Sequence, residues 1–293
     1  MLFFSLCLTV ALLSWAITAA LVTLSWPRLR PLITALNPSL GADCLFLLEL
    51  LPALSTAGLL ALFVVPAFSA WEPSQSSEHV NVWMAAATIV VLGLLWHTLR
   101  RLYLETRGRL LIDADAPFVA VLGCLRQKVV VTPATRALLS QEELQAVLQH
   151  ERSHVRRRDN VRLLAARFTA LLTLDARCWR EMESERARMT EFVADSSAAN
   201  DESSALDLAQ ALVKIAKHFP TSNYRFASTL AGDAGTVQER VLRLLQGTSP
   251  KSLLTSGHLF VAISVVLAVV LSAALHYDLQ FLCYQMLEKL VSL

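Results

Sequence analysis

Gln141-Glu142-Glu143-Leu144-Gln145-Ala146-Val147-Leu148-Gln149-His150-Glu151-Arg152-Ser153-His154-Val155-Arg156-Arg157 is the stretch on which the reading of this chain turns. Ser140 ahead of it and Glu143 three residues further on form a capping-box pattern, in which each side chain satisfies the other residue's backbone amide and starts a helix. Leu144, Val147, Leu148 and Val155 recur at helical spacing and give that helix one apolar side. His150 and His154 are four residues apart, close to one turn, so both imidazoles leave the same face and can share one Zn²⁺. Glu151 stands at the edge of that face, where its carboxylate can take a proton from a metal-bound water.

A catalytic zinc needs a third protein ligand and an open position, so a further donor is sought downstream. Glu191 is the best candidate. It lies at the end of a charged helix expected over roughly Cys178 to Ala199, where most carboxylates are solvated. From Glu191 onward, however, the texture turns apolar with Phe192, Val193, Ala194, Ala198 and Ala199. Asp195, one turn beyond, is placed to hold the Nδ1 proton of a zinc-binding histidine and so fix its ring. Asp159 can either pair with a neighbouring arginine or orient a ligand in the same manner. The candidate oxyanion donors are Arg240, Tyr224, Arg225 and His218.

Outward from this region, short β-branched runs between Pro117 and Val131, cut by Gly123 and closed by Thr132-Pro133, predict two strands or a hairpin. Further helices are expected over Val161 to Leu174, Ser204 to His218 and Gln238 to Leu245. A long loop is expected between His218 and Gly235. The Arg156-Arg157-Arg158 cluster, with Arg152 and Arg162, reads as a solvated face beside a membrane.

The membrane reading comes from composition. Of 293 residues 55% are hydrophobic and 17% charged, and the mean hydropathy of +0.49 is far to the apolar side of soluble usage. The excess is concentrated in 1–24, 44–68, 80–99 and 259–275, each near the roughly 20 residues needed to span a bilayer. The first lacks a basic leader and runs too long for a signal peptide, so it reads as a retained span. Arg28 and Arg30 follow the first stretch, Glu72 and Glu78 the second, and Arg100, Arg101, Arg107 and Arg109 the third. The positive-inside rule then places the amino terminus outside, residues 100–256 in the cytoplasm, and 277–293 outside as a short amphipathic tail on the membrane surface. Glu49 is an ionisable group inside an apolar stretch, which by default raises a functional hypothesis. A net charge of +2 gives no ground for a nucleic-acid partner. The five cysteines are scattered with no CxxC pair, so neither a disulfide framework nor a thiolate metal site is expected.

The chain resembles the BlaR/MecR-type antirepressor metalloproteases of bacterial membranes. The resemblance covers Pro117-Phe118-Val119, Leu125-Arg126, Glu143 through Asn160, Glu191-Phe192-Val193-Ala194-Asp195 and, more weakly, Glu239-Arg240-Val241. It implies that His150, His154 and Glu191 are zinc ligands and Glu151 the general base. It also implies a mainly α, polytopic protein of the bacterial inner membrane, with four transmembrane helices and a cytoplasmic gluzincin-like α+β metalloprotease domain. The implied partners are membrane lipid and a cytoplasmic protein substrate, often a transcriptional repressor, and the reading is compatible with a homo-oligomer. Gln127 stands where the family commonly has Pro, and a large extracellular sensor domain like that of the antibiotic-responsive members is not expected. Direct covalent capture of β-lactams is therefore not expected. Two rivals are a housekeeping membrane endopeptidase of the HtpX type and a non-catalytic scaffold that retains the fold.

Overall fold

The structure is a computed structural model and describes residues 2–71, 82–107, 117–124, 126–170, 176–218, 234–247, 270 and 277–291. It begins with a helical hairpin. α1 (Leu2–Thr34) continues through Pro27 and Pro31, and α2 (Pro38–Leu59) starts at Asn37, whose side chain accepts from the Ser39 amide while Pro38 fills the first turn. A π-helical turn at Leu60–Val64 leads into α3 (Val65–Trp71). The helices α1 and α2–α3 are long and apolar enough to cross a membrane, over Phe4–Thr34 and Pro38–Ala70. These two cover the expected spans 1–24 and 44–68. The third expected span falls on α4 (Val82–Arg107), which runs without interruption past position 100. Most of the fourth expected span, 259–275, lies outside the described residues.

The remaining elements form the second part of the molecule. β1 (Val119–Leu122) and β2 (Lys128–Val131) are an antiparallel pair with Val119 opposite Val131, which is the expected hairpin. Gly123, at φ 89°, makes its turn; a Cβ there would meet the Arg126 carbonyl at 2.5 Å, so only glycine fits. The helices are α5 (Pro133–Leu138), α6 (Gln141–Arg157), α7 (Asp159–Ala170), α8 (Ala176–Ala198), α9 (Glu202–His218) and α10 (Ala234–Gln246). The capping box forms as the sequence predicts: the Glu143 amide donates to Ser140 Oγ at 3.2 Å and the Ser140 amide to Glu143 Oε2 at 2.8 Å. The loop expected between His218 and Gly235 lies outside the described residues almost entirely. A last helix, α11 (Tyr277–Val291), occupies the expected amphipathic tail.

Three buried clusters hold these pieces together. Val147 of α6, Leu208, Leu212 and Ile215 of α9, Val237 and Leu244 of α10 and Val119 of β1 form the core under α6. Fully burying each such side chain stabilises by about 1.5–3 kcal/mol, before the entropy of ordering it is set against that. A second cluster joins the two parts: Val22 and Trp26 of α1 and Ala42 and Leu45 of α2 pack on Cys178, Trp179, Met182 and Met189 of α8. The third, Leu6, Val64 and Leu287, seats α11 at the other end of the hairpin. Trp26 is 3% exposed and donates from Nε1 to Glu181 Oε2 at 3.3 Å. Arg30 reaches Glu185 at 2.7 Å. α1 thus passes beyond its apolar stretch to grip α8.

Candidate metal centre

α6 brings His150 and His154 into register on its buried face, with 0% and 1% of each residue exposed. Their rings meet edge to face and their Nε2 atoms are 3.2 Å apart. α8 crosses this face and presents Glu191, with Oε2 3.4 Å from His150 Nε2 and Oε1 3.6 Å from His154 Nε2. These three donors form one compact group able to hold a metal ion. A tetrahedral ion bound at about 2.0–2.1 Å requires ligand atoms roughly 3.3–3.4 Å apart, so the triangle fits one face of such a site with little adjustment.

Each imidazole is fixed from behind. His150 Nδ1 lies 3.0 Å from Asp195 Oδ1, and His154 Nδ1 lies 2.8 Å from Asp159 Oδ2. Both carboxylates leave Nε2 pointing into the triangle, the arrangement that sets ring orientation and raises ligand basicity. Asp195 reaches back because it follows Glu191 by one turn of α8. Asp159 reaches back because Arg158 adopts the left-handed conformation, φ 53° and ψ 43°, which ends α6 and turns the chain sharply into α7. For a non-glycine residue that conformation costs about 1–2 kcal/mol. The bonds it enables offset the strain: Asp159 to His154, and Asn160, whose Nδ2 donates to the carbonyls of Val121 at 3.0 Å and Gly123 at 2.9 Å.

Arg240 joins this group from α10. It is 1% exposed, donates from Nε and Nη2 to both Asp195 oxygens at 2.8 and 2.6 Å, and sets Nη1 3.0 Å from Glu191 Oε2. Its three nitrogens therefore engage the carboxylates that surround the donors. Of the other expected oxyanion donors, His218 is exposed, with Nδ1 against the Lys214 carbonyl, while Tyr224 and Arg225 lie outside the described residues. The clamp has a visible sequence signal: Arg240 interrupts the apolar stripe Val237, Val241, Leu244 of α10, so it was bound to be buried and to need an anion.

The charges set the titration of the group. Burial alone would lower the His150 pKa, but the Asp195 and Glu191 carboxylates outweigh it and push it up to about 9. For Glu191, burial acts to raise the pKa, and Arg240 with the two histidines overrides it and holds the carboxyl down to about 2. Asp195 is held well below the usual carboxylate range by the same balance between burial and Arg240. Glu151 goes the other way: burial pushes its carboxyl up, and the neighbouring histidines only partly compensate. Glu151 is 0% exposed and neither of its carboxylate oxygens has a hydrogen-bond partner among the described residues. A buried carboxylate of this kind is expensive unless something polar is to meet it.

Among the expected solvated arginines, Arg152, Arg156 and Arg158 are exposed, but Arg157 and Arg162 are half-buried and paired to Asp43 of α2. Sequence reasoning missed that contact and also the Glu49 to Arg186 pair, 2.7 Å long, between α2 and α8. Arg186 carried the same kind of signal as Arg240, since it interrupts the apolar face Trp179, Met182, Met189.

Fold and site together show a helical domain with a His150, His154 and Glu191 group that could hold a metal ion, joined to an apolar helical hairpin. Residues 113–258 match the model of Peptidase family M48, to which this part of the chain is similar. The match supports a metalloprotease associated with a membrane. No curated protein and no solved structure matches the chain.

Proposed function

We propose that this chain is a membrane-embedded zinc endopeptidase that hydrolyses a peptide bond in a cytoplasmic protein close to the inner face of the bacterial membrane. The observation that carries the reading is the triangle of His150, His154 and Glu191 donors with the buried, unpartnered Glu151 carboxylate one residue from the first ligand. The residues fit zinc in donor type as well as in spacing, because two imidazoles and one carboxylate are the donor set of a common class of catalytic zinc sites.

Bound there, the ion would supply Lewis acidity, bringing the pKa of water near neutrality and polarising a peptide carbonyl. His150 and His154 would hold it through Nε2 and Glu191 through its carboxylate. Glu151 would accept the proton of the attacking water and return it to the leaving amine nitrogen; its raised pKa makes it a stronger base than an ordinary carboxylate. Asp195 and Asp159 keep the two histidines in the tautomer that leaves Nε2 free. Arg240 keeps Glu191 and Asp195 in place and neutralises their charge.

The cytoplasmic placement is supported by the Arg-rich segments flanking the domain and by the packing of α8 on the Trp26 to Arg30 end of α1, while α11 packs on the Leu6 end. The BlaR/MecR-type resemblance supports a regulatory, repressor-like substrate. A second reading, an unselective housekeeping protease of the HtpX type, is favoured by the M48 match, which describes a peptidase family and not an antirepressor. Proteomics of cells expressing the wild type or Glu151→Gln separates the two readings. One or a few cleaved regulators support the first, many cleaved membrane proteins the second. Identical protein profiles from both forms contradict both and leave the scaffold.

A further inference from the structure

We infer that Asp43, at the domain end of the apolar helix α2, is a positioning residue of the metal centre, acting on His154 through Arg157 and Asp159. The inference rests on the metal-site reading proposed above and adds to it a residue more than a hundred positions away in sequence.

The contacts run in one line. Asp159 Oδ2 lies 2.8 Å from His154 Nδ1, and its other oxygen lies 3.7 Å from Arg157 Nε. Arg157 Nη2 lies 3.0 Å from Asp43 Oδ1, and Nη1 donates to Ser39 Oγ at 3.3 Å. The same Asp43 oxygen also takes Arg162 Nη1. Arg157 is the last residue of α6 and Arg162 lies in the first turn of α7, so Asp43 bridges the two sides of the left-handed turn at Arg158. That turn is strained and is the element that aims Asp159 at His154. A bridge across it limits the freedom of the one carboxylate that fixes the second ligand. Both arginines are partly shielded, at 18% and 31% side-chain exposure, so their attraction to Asp43 is less screened than that of an ordinary surface pair.

Cobalt(II) titration of the full-length protein in detergent tests this, read by the visible absorption of the bound ion and by competition with a chelator. Partners behind metal-binding histidines typically change metal affinity 10–100-fold when removed. Asp43 acts one contact further out, so Asp43→Ala is expected to weaken cobalt binding about tenfold and to shift the absorption band, with Asp43→Glu restoring most of both. In combination with Asp159→Ala it should add little, because both act on His154. In combination with Asp195→Ala, which acts on His150, the losses should multiply. Asp43→Asn, which keeps the size and an acceptor oxygen, serves if the alanine variant does not fold. Wild-type affinity and spectrum in a folded Asp43→Ala, or in Asp43→Asn where the alanine variant does not fold, overturn the inference, as does a loss that multiplies with Asp159→Ala. Failure of the wild-type chain itself to bind cobalt overturns the metal-site reading and this inference together, which distinguishes the two failures.

Discussion

Arg240 sits where three carboxylate oxygens converge, two from Asp195 and one from Glu191. Replacing it by alanine leaves two buried carboxylates with no guanidinium between them, and breaking buried pairs in this way costs about 3–5 kcal/mol. Arg240→Ala should therefore unfold at clearly lower denaturant than wild type with chelator present in both. Arg240→Lys should recover only part, since an ammonium cannot reproduce the two-pronged contact with Asp195. Unfolding indistinguishable from wild type in Arg240→Ala would show that the clamp is not stabilising. His150 gives a second prediction. Its pKa in the metal-free chain is raised to about 9, so its protonated form dominates at pH 7 and a cation must displace that proton. Metal uptake should release about one proton from this group at pH 7 and none well above pH 9, and affinity should fall as pH drops through that range. Calorimetry in two buffers of different ionisation enthalpy measures the proton directly; uptake without proton release at pH 7 contradicts it. The grouping of His150, His154, Glu191 and Asp195 was legible in the sequence because it follows local spacings: one turn between His150 and His154, one turn between Glu191 and Asp195. The pairing of Asp159 was left open, since its direction depends on the left-handed Arg158. The contacts of Arg240 with Asp195 and Glu191 were not legible, because a residue's partner across the core has no local spacing to betray it.

At the scale of elements, α8 serves two masters. One end supplies Glu191 and Asp195 to the metal centre, and the same helix is packed along α2. Glu49 and Arg186 join the two helices with 2% and 7% of their side chains exposed. Gly41 of α2 is packed so closely on Met189 of α8 that a Cβ there would come within 2.5 Å of its sulfur. A buried ion pair is weak evidence for stability, but removing one member is costly and removing both is not. Glu49→Ala and Arg186→Ala should each destabilise by about 3–5 kcal/mol, whereas Glu49→Leu with Arg186→Met should be nearer to wild type. Thermal unfolding of the four proteins in one detergent provides the comparison. A double variant as unstable as the sum of the singles would mean that the pair specifies the register of α8 in a way packing cannot replace. α6 was predictable from its capping box, and Ser140→Ala should cost it about 1 kcal/mol. The hairpin of β1 and β2 was predictable from Gly123 and the β-branched runs. The extension of α1 through Pro27 and Pro31 was not, because prolines normally mark a helix end, and only the contacts of Trp26 and Arg30 with α8 account for the added turns.

For the whole molecule, the hairpin of α1 and α2 has the peptidase domain at one end and α11 at the other. If the proposed orientation holds, single cysteines placed on a cysteine-free background at exposed Gln141 and exposed Leu279 should label from opposite faces of intact inner membrane, the first only from the cytoplasmic side. Labelling of both from one side contradicts the proposed orientation. Two of the expected spans coincide with helices able to cross a bilayer, and hydropathy made them legible because membrane burial depends on composition alone. The attachment of the domain to that hairpin could not be read in this way, since it rests on single long-range pairs such as Asp43 with Arg157. The central claim is that His150, His154 and Glu191 together hold one zinc ion. X-ray absorption at the zinc edge of the purified full-length protein tests it most directly. The account predicts one bound zinc per chain with two imidazole nitrogens and carboxylate or water oxygens at about 2.0–2.2 Å, reduced to one imidazole in His154→Ala. Sulfur neighbours at about 2.3 Å, or a zinc environment unchanged by His154→Ala, would contradict it.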